Sequence, residues 1–490
     1  MEQPNSKEAV DIISQNVKSS ETGEVINASG HVQELERNFK LAIFNGGAPG
    51  FIYEFIVAGL FYLVITTSLA EMASALPSAG GVYHWASVTP GKKAGRVIGF
   101  FAGYWNSFAY SFGAASLAAV AGEAIVGMYS LHHLEFEPQR WHVFICYIIV
   151  VWLCCAILLF TNRLLPKITN VLAFLVIGGW FVSVLCVAIL PSQGGRSHAS
   201  THFVWKDWQN LTGYSSNVLV FVLGMLNGSF SIGTPDCSTH LAEEIPRPER
   251  NIPKAMFTQM TSSFLTTLIF LIVLFYSVSD FDVVVDSTAE FLLTEIYLQA
   301  TGSLAGATGL TIVALLPVLG SVMGSMLTAS RVFWTIARDD GTPFPRTFGH
   351  VSKRYKNPFA AIIFIACFCT VMGCIYLGSE TAFAALTGSF VVLTTLSYLA
   401  ALLPFLLRGR KSLTPGPFFI HGVAGYIVNA TSCLFMMVWI VFYCFPYELP
   451  VEAANMNYSS LIAGGLTVII GIWWLMVQKR YEGPGALVSL

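Results

Sequence analysis

The sequence predicts an all-α polytopic membrane protein, on three observations. Hydrophobic residues make up 54% of the 490 residues and charged residues only 11%, whereas a soluble globular chain carries about a quarter charged. The apolar residues gather in long unbroken runs, each near the roughly 20 residues that one helix needs to cross a bilayer. The runs also lack the strict alternation, over about ten residues, of a membrane β-strand. In lipid only helices and closed barrels satisfy every backbone polar group, so helices remain.

In chain order, residues 1–40 are polar and have no apolar signal-peptide core, which predicts a disordered, cytoplasmic-type N-terminal tail. A transmembrane domain is expected over 41–480, with a short C-terminal tail at 481–490. Its apolar runs fall at about 51–76, 96–128, 141–161, 168–191, 215–235, 255–278, 304–330, 358–377, 380–406, 422–445 and 459–478. Ahead of the first, Asn45-Gly-Gly-Ala-Pro-Gly50 reads as an external turn. Gly99 and Gly103, like Gly320 and Gly324, have the small-xxx-small spacing of close helix packing. All ten cysteines lie within or at the ends of runs, as packing residues rather than disulfides or metal ligands. The net charge of −2 and the absence of a basic run give no support for nucleic acid, and no P-loop supports ATP-driven work.

The loops alternate in charge. One set holds Lys92, Lys93 and Arg96; Arg163 and Lys167; Arg247, Arg250 and Lys254; Arg331, Arg338, Arg346, Lys353, Arg354 and Lys356; Arg408, Arg410 and Lys411; then Lys479 and Arg480. The other holds only Arg140, Arg196 and Lys206, with acids such as Asp280, Asp282, Asp286, Glu448 and Glu452. Positive loops face the cytosol, which places the C-terminus inside. Two sequons, Asn210-Leu-Thr and Asn457-Tyr-Ser, then fall outside as glycan acceptors. Eleven crossings put the N-terminal tail outside, against the inside-like Arg37 and Lys40. The four residues Lys40-Leu-Ala-Ile43 cannot cross about 30 Å. The expectation is either an external tail or a lost crossing at this seam.

Three segments carry a family signature: Glu71-Met-Ala-Ser-Ala-Leu-Pro77-Ser-Ala-Gly80-Gly81-Val-Tyr83-His-Trp85; Gly233-Thr-Pro-Asp236 running through Glu243-Glu244-Ile-Pro-Arg-Pro248 to Asn251-Ile-Pro253; and Ser330-Arg331-Val-Phe-Trp334 through Arg338-Asp339-Asp340-Gly341-Thr-Pro343. In this order they resemble the amino acid–polyamine–organocation (APC) superfamily, in its fungal amino acid/choline permease branch. The Gly-Thr-Pro-Asp variant is most similar to choline permeases. The resemblance implies a LeuT/APC-type inverted-repeat fold of twelve helices, of which this chain shows about eleven. The implied first helix, broken at the midplane, has no counterpart here. Substrate in such proteins lies between the breaks of the first and sixth helices, where freed backbone groups and dipole ends meet it.

By that resemblance, the run Asn227-Gly-Ser-Phe230-Ser231-Ile-Gly233-Thr-Pro-Asp236 is the broken sixth helix. Phe230 matches the aromatic lid, Gly233 the break and Asp236 the acidic position after it, with Ser231 beside them. An aromatic face plus a carboxylate suits a quaternary ammonium; the plainer reading is a packed proline kink whose Asp caps a half-helix. Trp105, Phe108 and Phe112 share a helical face and are weighed as pocket lining against packing. Glu54 is expected at an external vestibule, Glu123 near the outer surface, and Lys167 as positive-inside charge. Glu71, Glu243, Glu244 and Arg331 are candidate gating residues, with Arg247, Arg250, Arg338 and Asp339 in a cytoplasmic ion-pair network.

The expected function is secondary active transport of a small amino-containing solute by alternating access, choline or a related organic cation first. Alternatives are a permease for gamma-aminobutyrate or another amino acid, and a transport-defective splice or gene-model variant lacking the first helix. A membrane enzyme is disfavoured because the ten histidines are scattered. No cofactor or metal is expected; a proton is the candidate coupling ion. The expected partners are the small-molecule substrate and the lipid bilayer, in the plasma membrane.

Overall fold

The computed structural model describes residues 45–133, 135–161, 164–195, 197–243, 245–279, 291–355, 357–452 and 456–484, apart from the side chains at 165 and 166. The tail at 1–40, the seam at 40–43, Arg163, Arg196, Glu244, Asp280, Asp282, Asp286 and Lys356 lie outside the described residues. Apart from an isolated bridge between Asn45 and Asn210, all regular structure described is helical. Among the described residues, eleven spans are long and apolar enough to cross a membrane. The chain is an all-α polytopic membrane protein.

The helices are α1 Gly47–Ala75, α2 Val82–Val88, α3 Lys92–His132, α4 Arg140–Phe160, α5 Leu165–Gln193 and the short α6 Thr201–Trp205. Then come α7 Asn217–Ile232 with a 3₁₀ turn at Cys237–Leu241, α8 Pro248–Ser277, α9 Leu292–Thr301, α10 Leu304–Arg338 and the short α11 Pro345–Phe348. The chain continues through α12 Phe359–Gly378, α13 Glu380–Gly388 with α14 Phe390–Leu407, α15 Gly422–Phe442 and α16 Ser459–Val477. A long–short–long pattern, α1–α2–α3, recurs as α8–α9–α10, each followed by two more spans. Counting crossings puts α2 and α9 at opposite ends of the bundle, so the two sets are inverted copies. Equivalent members pack on each other, α1 on α8 and α3 on α10. The second copy opens with the broken α7. Among the described residues no helix precedes α1.

The first element differs from expectation. Residues 47–50 are not an external turn but the first turn of α1, buried with the rest of that helix. Gly46, at φ 114°, makes the left-handed entry, and its N–H donates to the Gln209 carbonyl. Pro49 lies where a helix has no intrahelical use for its N–H, so the proline costs nothing there. The run at 380–406 is likewise two helices, because Ser389 separates α13 from α14.

Close packing uses glycine where it is needed. A Cβ on Gly228 would lie 2.8 Å from Ala58 Cβ and 3.1 Å from Phe55 Cα, so α7 and α1 touch backbone to backbone. Gly99 and Gly103 let α3 lie close against Ser87 and the Tyr83 ring of α2. Outward faces stay apolar, with Phe174, Ile177 and Phe181 on α5 and Leu461, Leu475 and Met476 on α16 exposed. That surface suits lipid rather than water.

The asparagines of both sequons are held by hydrogen bonds. Asn457 is buried, and its amide donates to the carbonyls of Tyr443 and Phe445 while its carbonyl accepts from Ser459 N–H. The Asn210 amide is committed to Tyr214 O and Asn217 Oδ1. A glycan needs that nitrogen free at the surface, so the expectation is corrected for the buried Asn457.

Candidate functional site

The site begins where α7 fails. Helical hydrogen bonding stops at Ile232, and Gly233-Thr-Pro-Asp236 runs as an open link into the 3₁₀ turn. Pro235 brings no N–H, which removes a rung of the ladder. Carbonyls released at such a break need donors. Tyr398 of α14 approaches Gly233 O at 3.4 Å, and Gln259 of α8 donates to Thr234 O at 2.8 Å. The break is therefore built into the packing.

Asp236 sits at the far edge of the break with no exposed surface. A buried carboxylate is costly unless donors surround it, and four do. Tyr110 and Tyr398 hydroxyls each donate to Oδ1 at 2.5 Å. Asn106 Nδ2 lies 3.1 Å from Oδ2, and His240 Nε2 lies 3.4 Å from the same oxygen. Asn106 and Tyr110 stand four apart on α3 and so share a face, while the 3₁₀ turn after Asp236 carries His240 back to the same carboxylate. The other imidazole nitrogen, Nδ1, is 2.8 Å from Ala79 O in the turn between α1 and α2. Arg331 of α10 donates to the backbone oxygen of His240 at 3.3 Å.

Aromatic rings line one side. Phe230, half-buried on the last turn of α7, stacks on Phe390 of α14 at 6.2 Å, and Phe390 meets Tyr110 edge-on at 6.0 Å. Ser231 is buried and donates to Asn227 O. Trp105 and Phe108 point elsewhere. The Trp105 indole donates to Thr467 on α16, and Phe108 packs on Phe112 and on Phe368 of α12. Of α3 it is Asn106 and Tyr110 that reach the break.

Several polar contacts gather at the end carrying the Lys/Arg-rich loops. Glu71 is buried and ion-paired to Arg410, and it accepts from Asn429 at 3.0 Å. The Arg410 guanidinium also lies over Phe419, at 4.6 Å, and Tyr426, at 5.4 Å. Glu243 faces Arg338 at 3.8 Å, with both side chains about half exposed; such a pair is worth about 1 kcal/mol or less. Arg331 is not a cytosol-facing member of that network: it is 8% exposed and turned toward His240. Tyr83 donates to Asp339 at 2.7 Å and meets the Tyr481 hydroxyl at 2.9 Å. Burial pushes the Asp339 carboxyl up, opposed by the Tyr83 hydrogen bond and by Arg338. His84 is buried beside Ser78, and burial, then the Arg338 charge, lowers it to about 3.

A family model described as amino acid permease matches residues 26–470, most of the sequence. The chain belongs to the amino acid permease family. This permease is 32% identical to the choline transporter of Saccharomyces cerevisiae over 444 residues, 89% of this chain and 77% of that one. It is 29% identical to a swainsonine transporter of Arthroderma benhamiae, covering 89% and 86% of the two chains. It is also 24% identical to the GABA-specific permease of Saccharomyces cerevisiae, covering 96% and 87%.

Of the residues singled out from the permease's sequence, Phe230, Ser231, Gly233 and Asp236 stand together at the break. Arg331 joins them through His240. Trp105, Phe108, Glu71 and Glu243 stand apart, and Glu244 lies outside the described residues. Glu54 is corrected: it is 1% exposed, against Gly224 of α7, rather than in a vestibule, and neither carboxyl oxygen has a hydrogen-bond partner among the described residues. Sequence reasoning missed Asn106, Tyr110, Tyr398 and His240. For Asn106 and Tyr110 the signal was an i, i+4 polar pair within an apolar run.

Proposed function

We propose that this permease is a secondary carrier that moves choline or a related quaternary ammonium across the plasma membrane by alternating access. The observation that carries the reading is the broken α7, with a buried acid and an aromatic wall at the break, in a chain of this family. Half-helix ends at mid-membrane are where such carriers hold their solute.

The chemistry of the break favours a quaternary head. A primary ammonium needs hydrogen-bond acceptors, and at the break the Thr234 carbonyl already receives Gln259. A trimethylammonium has no N–H to satisfy and is held by ring faces and net negative charge. Phe230, Phe390 and Tyr110 supply the rings. The likeness to a choline transporter supports the same substrate. The distribution of Lys and Arg supports a cytosolic C-terminus.

Radiolabelled choline uptake into cells without their own choline permease tests this. The expected result is saturable uptake that excess unlabelled choline abolishes and gamma-aminobutyrate leaves unchanged. Uptake of labelled gamma-aminobutyrate with no choline uptake moves the substrate to amino acids. Absence of both, beside an active full-length relative, favours the transport-defective reading.

A further inference from the structure

Asn106 carries an atom that the fold leaves bare. The residue has no exposed surface, and its Oδ1 has no hydrogen-bond partner among the described residues. Its neighbours fix which end of the amide is which. Nδ2 lies 3.1 Å from Asp236 Oδ2 and 3.4 Å from Ser397 Oγ. Asp236 already receives two tyrosine hydroxyls and acts as an acceptor. The Ser397 hydroxyl spends its hydrogen on Thr394 O, at 2.7 Å, so toward Asn106 it only accepts. A turned amide would set Oδ1 against both acceptors. The two amide hydrogens are thus used inside the protein, and the carbonyl is left over. A buried acceptor without a donor is costly, and in a native fold it calls for an explanation.

We propose that Asn106 Oδ1 accepts a hydrogen bond from a hydroxyl of the solute, so that this carbonyl selects a hydroxyl-bearing quaternary ammonium over cations without a hydroxyl and over zwitterions. The inference deepens the choline reading and rests on it.

The placement fits this role. Asn106 and Tyr110 are one turn apart on the same face of α3, with about 5–6 Å between their Cβ atoms. The Tyr110 ring meets Phe390, which stacks on Phe230. A trimethylammonium against those rings brings a hydroxyl, one ethylene link away, within reach of Asn106. The donors around the break are spent on the protein itself: Tyr110 and Tyr398 on Asp236, Gln259 on Thr234 O and Ser231 on Asn227 O. A carboxylate in the hydroxyl's place would face the Asn106 carbonyl and Asp236, two acceptors, with no hydrogen between them. A hydroxyl supplies that hydrogen and adds no charge. An alkyl group or an ether leaves the carbonyl bare, and a site built to hydrogen-bond a hydroxyl rejects the analogue that lacks it.

Displacement of labelled choline from the purified full-length protein tests the proposal. The competitors are unlabelled choline, propyltrimethylammonium, the methyl ether of choline, glycine betaine and ethanolamine. The propyl compound replaces the hydroxyl by a methyl; the ether keeps the oxygen and loses the hydrogen. Both are expected to compete at least about tenfold more weakly than choline, and betaine more weakly still. In Asn106→Leu the preference for choline over the propyl compound is expected to shrink to about one. A wild type in which the propyl compound or the ether matches choline overturns the proposal. So does one that prefers ethanolamine, which would give the carbonyl an ammonium hydrogen instead. If Asn106→Leu weakens both ligands alike and keeps their ratio, the residue only positions Asp236, and the proposal fails. Should that variant not fold, the wild-type series decides alone. Labelled choline that does not bind at all rejects the substrate reading and this inference with it; choline that binds no better than the propyl compound rejects this inference only.

Discussion

Arg410 illustrates how single residues hold this molecule together. It is 4% exposed, paired with Glu71, and surrounded by Phe405, Phe419 and Tyr426. Removing one member of a buried pair strands the other charge, which costs about 3–5 kcal/mol. Arg410→Ala is therefore expected to lower the thermal unfolding midpoint in detergent sharply. The joint change Glu71→Gln with Arg410→Met is expected to recover most of it, because no charge is then stranded. Equal loss in both would show that packing, not the pair, is at stake. At this scale the sequence was only partly legible. It marked Asp236 and Phe230, since a charge beside Gly and Pro in an apolar run is conspicuous. Tyr398 was illegible, because one tyrosine in an apolar helix looks like any packing residue until α14 is placed against the break.

Among the elements, the short α2 shows most clearly what position does to chemistry. Its seven residues are all buried, wedged between α3 and α14. His84 is held there at about 3. An unfolded chain takes up a proton at this histidine below about 6.5; the folded chain refuses it until about 3. The unfolded state therefore binds more protons between those values, and stability falls as the pH drops through that window, by up to about 1.4 kcal/mol per unit. Denaturant unfolding from pH 7 down to about 4 is expected to show a shallower loss in His84→Gln than in wild type. Parallel curves would remove His84 from the account. The long elements were readable because each apolar run is nearly the length of its helix. α2, α9 and the α13–α14 division were not, because a buried amphipathic piece at a membrane edge lacks both the length and the periodicity that announce a helix.

The whole molecule is an inverted pair of helical sets packed around one broken helix, and the charge of its loops supports the orientation proposed for it. The loop after α10 exposes Arg354, and the loop before α16 exposes Val451. Cysteine placed at 354, with Cys367 and Cys374 changed to serine, is expected to react with an impermeant maleimide only in opened cells; cysteine at 451 is expected to react in intact ones. The reverse pattern would invert the bundle and withdraw the cytosolic assignment. The number of crossings was legible from hydropathy alone. The inverted relation between the two halves was not, because it resides in which helices touch, and the sequence shows that only through resemblance.

The last described turn reaches back to the start of this design. Arg96 holds the carbonyls of Gln478 and Tyr481, at 2.6 and 2.5 Å, Arg480 grips Asp340 O and Thr342 O, and the Tyr481 ring is fully enclosed beside Phe100 and Trp474. A reporter spliced directly onto residue 481 would therefore tug on Tyr83, whose hydroxyl meets that of Tyr481. One placed beyond residue 484 spares that knot, and its signal can be read as abundance rather than as a disturbed carrier.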